Sequence, residues 1–235
     1  MIDFHSHILP GIDDGSRSLQ QTEQMLRVAY EQGVTEVLAT PHFYASSDSI
    51  PRFLEKREKA FLQVQELAER ESWVPKIRVG AEVYYFPNMG KAELLPELCL
   101  EGTSILLLEL PFVQWDNRIY EDVLRIIEKQ KLTVILAHIE RYYEFQKKKA
   151  VWNDILELPV YLQINAGSLQ DRKKRKLDLK LLKEEYPIVL GSDCHNMERR
   201  PPNLKEGRDF LQKKMGDDVL KTIDELGRRI LGEHD

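Results

Sequence analysis

Seven short runs of apolar and β-branched residues, at 2–5, 36–39, 76–83, 104–110, 133–137, 160–164 and 188–190, alternate with stretches of helical periodicity. Strands separated by helices imply parallel βα units, because parallel neighbours need a crossover connection. The run Ser104-Ile105-Leu106-Leu107-Leu108-Glu109-Leu110 is nearly continuous in apolar character, as suits a strand covered on both faces. Helices are predicted over 18–33, 51–71, 117–130, 203–211 and 217–231, the first stopping at Gly33. Neither a linker nor an internal repeat interrupts the pattern, so 1–235 reads as a single domain. A closed or nearly closed barrel of parallel βα units is expected. An open doubly wound sheet is the structural alternative, which spacing alone does not separate from it.

The placement of the reactive side chains favours the barrel. His5 and His7, His42, Glu82, Glu109, His138, and then Asp193 and His195 all fall at the C-terminal ends of proposed strands. Barrels collect their sites at that face, whereas an open sheet uses mainly the crevice where strand order reverses. His5 and His7 are two apart, so on a strand they share one face, with Ile2 and Phe4 on the other. Asp193-Cys194-His195 repeats that spacing. A lone histidine after a strand, such as His42 or His138, reads as structural; the joint pattern reads as a metal site. Glu82, Glu109 and Asp193 occupy the same kind of position, and burying carboxylates unpaired is costly unless a cation is shared among them.

Five imidazoles with Glu82, Glu109, Asp193 and Asp14 exceed what one tetrahedral or octahedral centre uses, so more than one divalent ion is expected. Three such ions against four carboxylates leave a net charge of +2, which attracts a phosphate dianion and makes a nucleophile from water at neutral pH. Nitrogen and oxygen ligands without thiolate suit manganese, iron or zinc. Arg141 follows His138 by three residues and Arg200 follows Asp193 by seven, and arginine holds phosphate oxygens in a planar fork. His234 is assigned no metal role.

Other readings are weaker. A net charge of −5 does not favour wholesale capture of nucleic acid. The basic run at 172–176 is a local exception, read as a solvated helix face that could also dock a phosphorylated, polyanionic tail. No apolar run approaches the roughly 18–20 residues that span a bilayer, so no direct membrane insertion is expected. Two cysteines, Cys99 and Cys194, make no disulfide framework, and the start of the chain lacks the pattern of a secretory signal, so a cytoplasmic location is expected. The stretch from Cys194 to Arg200 satisfies C-x5-R, the signature of cysteine-dependent tyrosine phosphatases. Its intervening residues are bulky, none is glycine, and Pro201-Pro202 removes two N–H donors that a phosphate cradle needs.

The stretch Asp3-Phe4-His5-Ser6-His7-Ile8-Leu9-Pro10-Gly11-Ile12-Asp13-Asp14-Gly15 resembles the polymerase-and-histidinol-phosphatase (PHP) superfamily, as do Ala39-Thr40-Pro41-His42, Gly80-Ala81-Glu82, Glu109, Ala137-His138-Ile139-Glu140-Arg141 and Ser192-Asp193-Cys194-His195-Asn196 with Arg200-Pro201-Pro202. More narrowly, it is similar to the manganese-dependent bacterial protein-tyrosine phosphatases that partner tyrosine kinases of capsule and exopolysaccharide synthesis. The likeness covers nearly the whole chain, and the extended stretch after His7 is its most specific part. It implies a distorted seven-stranded parallel (β/α)7 TIM-like barrel and three metal ions, most often manganese. His5, His7, Glu82 and Asp193 would hold one ion. Glu82 would bridge to a second, held by Glu109 and His138. His42 and His195, with Asp14, would hold the third. Arg141 and Arg200 would grip the phosphate of a phosphotyrosine protein, the tail of a kinase being the expected partner. Asp14 and His42 are also the candidates for protonating the leaving phenolate, but a ligand is not a free proton donor, and both are assigned as ligands. A small-ester phosphatase of the histidinol-phosphatase type and a nuclease of the same superfamily are the alternative enzymes. A non-catalytic docking module is the non-enzyme reading, and the intact ligand set with both arginines argues against it.

Overall fold

The strands form where the apolar runs lie, with one run broken in two and one short strand added after the run at 36–39. The computed structural model describes residues 1–232, so His234 lies outside the described residues. From β1 (Ile2–Ser6) the chain passes through α1 (Leu19–Glu31) to β2 (Glu36–Ala39), stops at Thr40-Pro41 and resumes as the short β3 (His42–Phe43). Proline offers the ladder no N–H, so the strand does not run unbroken through Pro41. After α2 (Ile50–Arg70), the run expected over 76–83 divides into β4 (Lys76–Val79) and β5 (Glu82–Tyr84). The dividing Gly80 passes so close to the Leu100 backbone that a Cβ there would lie 3.3 Å from its Cα.

The remaining elements are β6 (Ile105–Glu109), α3 (Asn117–Glu128), β7 (Thr133–Leu136), α4 (Ala150–Leu156), β8 (Tyr161–Asn165), α5 (Lys174–Lys183), β9 (Ile188–Gly191), α6 (Leu204–Met215) and α7 (Asp217–Ile230). Side-chain caps start the early helices: Ser18 accepts from the Gln21 N–H at α1, and Asp116 from those of Arg118 and Ile119 at α3. The short helix α4 has no counterpart in the sequence reading, and α5 extends well beyond the helix face read at 172–176.

All strand pairings are parallel. One sheet has the order β1-β2-β4 and the other β3-β5-β6-β7-β8-β9. The breaks at Pro41 and Gly80 are where one sheet hands over to the other. β1 also meets the chain just beyond β9: Ser6 and Cys194 form a parallel bridge, the Asp193 N–H donates to the His5 carbonyl at 2.8 Å, and the His7 N–H donates to the Cys194 carbonyl at 2.9 Å. The architecture is therefore α/β with parallel sheets. The seven expected strands appear as nine segments in two sheets among the described residues.

Alternation along β6 sorts its side chains. Leu106 and Leu108 join the large apolar cluster that includes Met25, Phe61 and Val123 of the helices. Ile105 and Leu107 pack with Phe4, Leu38, Ile135 and Val189 from other strands. Glu109 continues this second stripe, so an apolar layer gives way to a carboxylate at the strand end. Among the described residues, no helix is long and apolar enough to cross a membrane.

Candidate metal centre

The expected donors converge on one carboxylate. Glu82, fully buried at the start of β5, has Oε2 3.2 Å from His5 Nε2, 3.3 Å from His7 Nε2 and 2.9 Å from His42 Nδ1. Its Oε1 lies 2.9 Å from His138 Nε2, which is 3.4 Å from Glu109 Oε1. Asp193 Oδ1 is 3.5 Å from both His5 Nε2 and His7 Nε2. Asp14 Oδ1 closes the other side, 3.6 Å from His42 Nε2 and 3.5 Å from His195 Nε2. Three sets of donor atoms are close enough to share an ion: His7, Asp14, His42 and His195; His5, His7 and Asp193; and His42, Glu82 and Glu109. All nine expected ligands thus lie in one cluster. The Asp14 side chain, 69% exposed, marks its open edge.

The backbone is bent to aim two of these groups. His138 and Asp193, each just beyond a strand, adopt left-handed conformations with φ of 31° and 53°. Such positions are uncommon for non-glycine residues and concentrate at functional sites.

The tautomers show what the cluster lacks. His5 Nδ1 is 2.9 Å from the Gln163 amide oxygen, which also accepts from the His138 N–H at 2.7 Å. The Gln163 amide nitrogen donates to Asn165 Oδ1, fixing the amide's orientation. His7 Nδ1 is 2.7 Å from Asp13 Oδ2. In each neutral ring the Nδ1 is the donor, which leaves Nε2 an acceptor. Yet the two Nε2 atoms lie 3.1 Å apart and face carboxylate oxygens. Buried His42 Nδ1, His138 Nδ1 and Glu82 Oε2 have no hydrogen-bond partner. Acceptors crowded together without donors fit a site for cations, and nitrogen and oxygen donors without thiolate fit hard or borderline divalent ions.

Electrostatics agree. Burial works to raise the Glu82 pKa, but His5 and the facing His138 and His42 rings overcome it and hold the carboxyl well below its usual range. Burial likewise opposes charging of His138, and Glu109 and Glu82 outweigh it, bringing that ring up to about 9. The His195 hydrogen bond, with the charges of His42 and His7, keeps Asp14 far below the ordinary carboxylate range, which makes it a poor proton donor.

Both expected arginines reach the site edge. Arg200 Nη2 lies 2.5 Å and Arg141 Nη1 3.6 Å from the same Asp193 Oδ2, and Arg200 Nη1 is 2.9 Å from His195 Nε2. Their side chains are 38% and 34% exposed, so each faces both the cluster and solvent. Aromatic rings line the rim. Tyr44 lies 5.1 Å from the His42 ring and 5.5 Å from Tyr84, and Phe112 lies 5.9 Å from His138 beneath the Arg141 guanidinium. A cavity of about 270 Å³ beside Asp14, His42 and Tyr44 opens on the cluster. Larger clefts, of about 540 Å³ against α7 and about 410 Å³ beside Asp122, hold none of its donors.

Two residues of the site were not singled out from sequence. Asp13 orients His7 and also accepts from the His42 and Gly15 N–H groups. Gln163 orients His5. The signal for it was present: Gln163 and Asn165 interrupt the apolar alternation of β8 as Glu109 interrupts that of β6. Asn165 in turn donates to Asp193 at 2.8 Å.

Cys194 does not belong to the chemistry. It is buried, and burial pushes its thiol up to about 12, so no thiolate nucleophile forms near neutral pH. Cys194→Ser should keep turnover within about threefold of wild type in a steady-state assay; a loss approaching that of a nucleophile knockout would contradict this assignment.

Comparison with known proteins follows the same lines. Residues 1–226 match the family described as capsular polysaccharide synthesis, CpsB/CapC. The chain is 29% identical over 232 residues to the tyrosine-protein phosphatase CpsB of Streptococcus pneumoniae, covering 95% of this chain and 94% of that protein. It is 26% identical over 238 residues to the tyrosine-protein phosphatase YwqE of Bacillus subtilis, covering 98% and 91%. A crystal structure from the study of YwqE and CpsB, described there as metal-dependent tyrosine phosphatases, aligns with a TM-score of 0.86 at 24% identity, over 100% of this chain and 96% of that one. That likeness shows a shared fold.

Proposed function

Because the chain belongs to the CpsB/CapC capsular polysaccharide synthesis family, we propose that its donor cluster is the centre of a metal-dependent protein-tyrosine phosphatase. The observation that carries this reading is Asp193: one oxygen faces two histidines of the cluster while the other is held by both arginines. A cation site and an anion clamp therefore share one residue, as hydrolysis of a phosphate ester requires.

Three divalent ions, most readily manganese, would be held by His5, His7, Glu82 and Asp193; by Glu82, Glu109 and His138; and by His42, His195 and Asp14. When bound, such ions offset phosphate charge and make water a stronger nucleophile at neutral pH. The remaining work falls to the chain. Arg141 and Arg200 turn charge-assisted hydrogen bonds onto the non-bridging oxygens, holding the ester in line and stabilising charge as it spreads over them. Asp13 and Gln163 keep His7 and His5 in the tautomers that present Nε2 to the cluster. The Tyr44, Tyr84 and Phe112 rim offers ring faces to an aryl group, which supports phosphotyrosine over the short phosphoserine ester. A departing phenolate, with a pKa near 10, needs less protonation than an alkoxide would.

The two sheets are then arcs of one distorted seven-unit barrel, joined through the bridge between Ser6 and Cys194. The natural substrate would be a tyrosine-phosphorylated protein of the cytoplasm, a tyrosine kinase tail being the leading candidate. The test is parallel hydrolysis of a phosphotyrosine peptide, a phosphoserine peptide, histidinol phosphate and single-stranded DNA, with manganese or with chelator. Phosphotyrosine should be turned over fastest, chelator should abolish the rate, and added manganese should restore it. Turnover of DNA alone, or phosphotyrosine turnover indifferent to chelator, would overturn the reading.

A further inference from the structure

The rim of the site is electrically lopsided. Near Arg141 and Arg200 the loop after β7 exposes Lys147 and Lys148, the segment after β8 reads Arg172-Lys173-Lys174-Arg175-Lys176, and the loop after β9 exposes Arg199; these outnumber the exposed acids of the same segments, Glu144, Asp171 and Glu198. On the far side, the loops after β1 and β3 bring exposed Asp14 and also Asp48, the latter paired with Lys56 and Arg52. The chain as a whole carries −5, so the basic side runs against the overall charge.

The start of α5 makes the contrast sharper. A helix N-terminus is the positive end of the helix dipole and normally attracts acidic residues. The last helix obeys this, with Asp217 and Asp218 in its first turn and Arg228 and Arg229 in its last. In α5 the first turn holds Lys174, Arg175 and Lys176 and no acid. Among the described residues, Arg172, Lys173, Lys174 and Lys176 form no ion pair, and all four are exposed. Asp171, just ahead of the helix, accepts from the Lys173 and Lys174 N–H groups and offsets part of this charge, but the five cations of 172–176 still outnumber it. The segment is tied to the site: it follows the turn Ala166–Gln170, which leaves β8 at Asn165, and Asn165 donates to Asp193.

We propose that these three loops form a docking shelf for an acidic peptide, namely the residues flanking the phosphotyrosine in the substrate. The proposal rests on the phosphatase reading and names the kind of chain that this site selects. A protein bringing its own phosphate between Arg141 and Arg200 must lay its neighbouring residues across the rim, and acidic neighbours meet cations there on one side. Large exposed apolar side chains are nearly absent from the shelf, Tyr143 being the one it carries, which disfavours a membrane-inserting surface.

The test compares wild type with the triple variant Arg172→Ser, Lys173→Glu, Lys176→Glu. Lys174 is left because its charge acts on buried Glu140 and Asp178, and Arg175 because it lies over Phe210. Substrates are two phosphotyrosine peptides, one flanked by Asp and Glu and the other by Asn and Gln, with phenyl phosphate as a reference. Wild type should prefer the acidic peptide by about tenfold in kcat/KM at low salt, through KM, with the preference fading as ionic strength rises. The variant should lose the preference, keep its rate on phenyl phosphate, and melt no lower than wild type.

Equal rates of wild type on the two peptides would overturn the shelf. So would equal losses by the variant on phenyl phosphate. Loss of binding to phosphatidylserine vesicles or to an oligonucleotide, with the peptide preference intact, would assign the surface elsewhere and overturn it too. If no aryl phosphate is hydrolysed, the phosphatase reading fails by itself. The shelf is then judged by fluorescence anisotropy with non-hydrolysable phosphonate versions of both peptides, where wild type alone must favour the acidic one.

Discussion

Glu82→Gln should reduce phosphotyrosine hydrolysis by about a thousandfold or more, well beyond the 10–100-fold typical of residues that only orient a ligand. The reason is position. Glu82 faces His5, His7, His42 and His138 and adjoins Glu109 through His138, so two of the three proposed ion sites include it and the third meets it through His42. Glutamine keeps the length and shape but offers one oxygen, carries no charge, and puts an N–H₂ among ring nitrogens. Bound metal per chain, measured by mass spectrometry after dialysis, should fall together with kcat. Circular dichroism should stay that of wild type, because the buried charge has been removed rather than stranded. Normal metal content with normal turnover would show that the cluster is not the catalytic centre. Asp13→Asn provides the scale: it weakens the support of His7 and of the His42 and Gly15 backbone without removing an expected ligand, and should cost the lesser, 10–100-fold amount.

Gly191→Ala should be nearly as damaging, by a steric route. A Cβ at this position would lie 2.6 Å from the His5 Cβ, 2.7 Å from the Gln163 amide nitrogen and 3.1 Å from the His5 backbone nitrogen. Two of these are not the flexible ends of side chains, so β1 must shift away from β9. Overpacking of this kind costs about 1–3 kcal/mol, which in a chain of this size lowers the melting temperature by roughly 2–12 °C. The same shift moves His5 and its Gln163 support, and displacement by about 1 Å can cost about a hundredfold in rate. A protein with an unchanged melting curve and unchanged kcat would mean that the two strands have slack the geometry denies.

Much of this was legible in the sequence because strands and ligands carry sharp local signals. His5-Ser6-His7 and Asp193-Cys194-His195 have a period that only an extended chain makes cofacial, and Glu109 stands out at the end of an apolar strand. What stayed hidden depended on tertiary contact. Pro41 announces a break in principle, but that β3 then joins the other sheet follows from its pairing with β5. Gly80 divides the next run because Leu100, twenty residues away, presses on it. The length of α5 beyond the helix face read at 172–176 is obscured by its own charges, since a lysine-rich stretch with few apolar residues lacks the periodicity by which a helix is recognised. Gln163 is an ordinary amide in sequence, and its effect on His5 exists only once β8 lies between β7 and β9 and β9 brings β1 within reach.

The seam between β1 and the segment after β9 sets an order of events during synthesis. Asp3 accepts from the Ser192 N–H, 189 residues later, and His7 donates to Cys194. His5 and His7 leave the ribosome well before Asp193 and His195, which lie far downstream in the sequence. Closing so long a loop is slow and entropically costly, so these contacts form late. The ribosome-bound chain therefore passes through a long interval with some imidazoles and carboxylates in place and the cluster incomplete. A complete set of the expected donors waits for this seam to close, and a product truncated before residue 193 lacks half of the seam and two of the expected ligands at once.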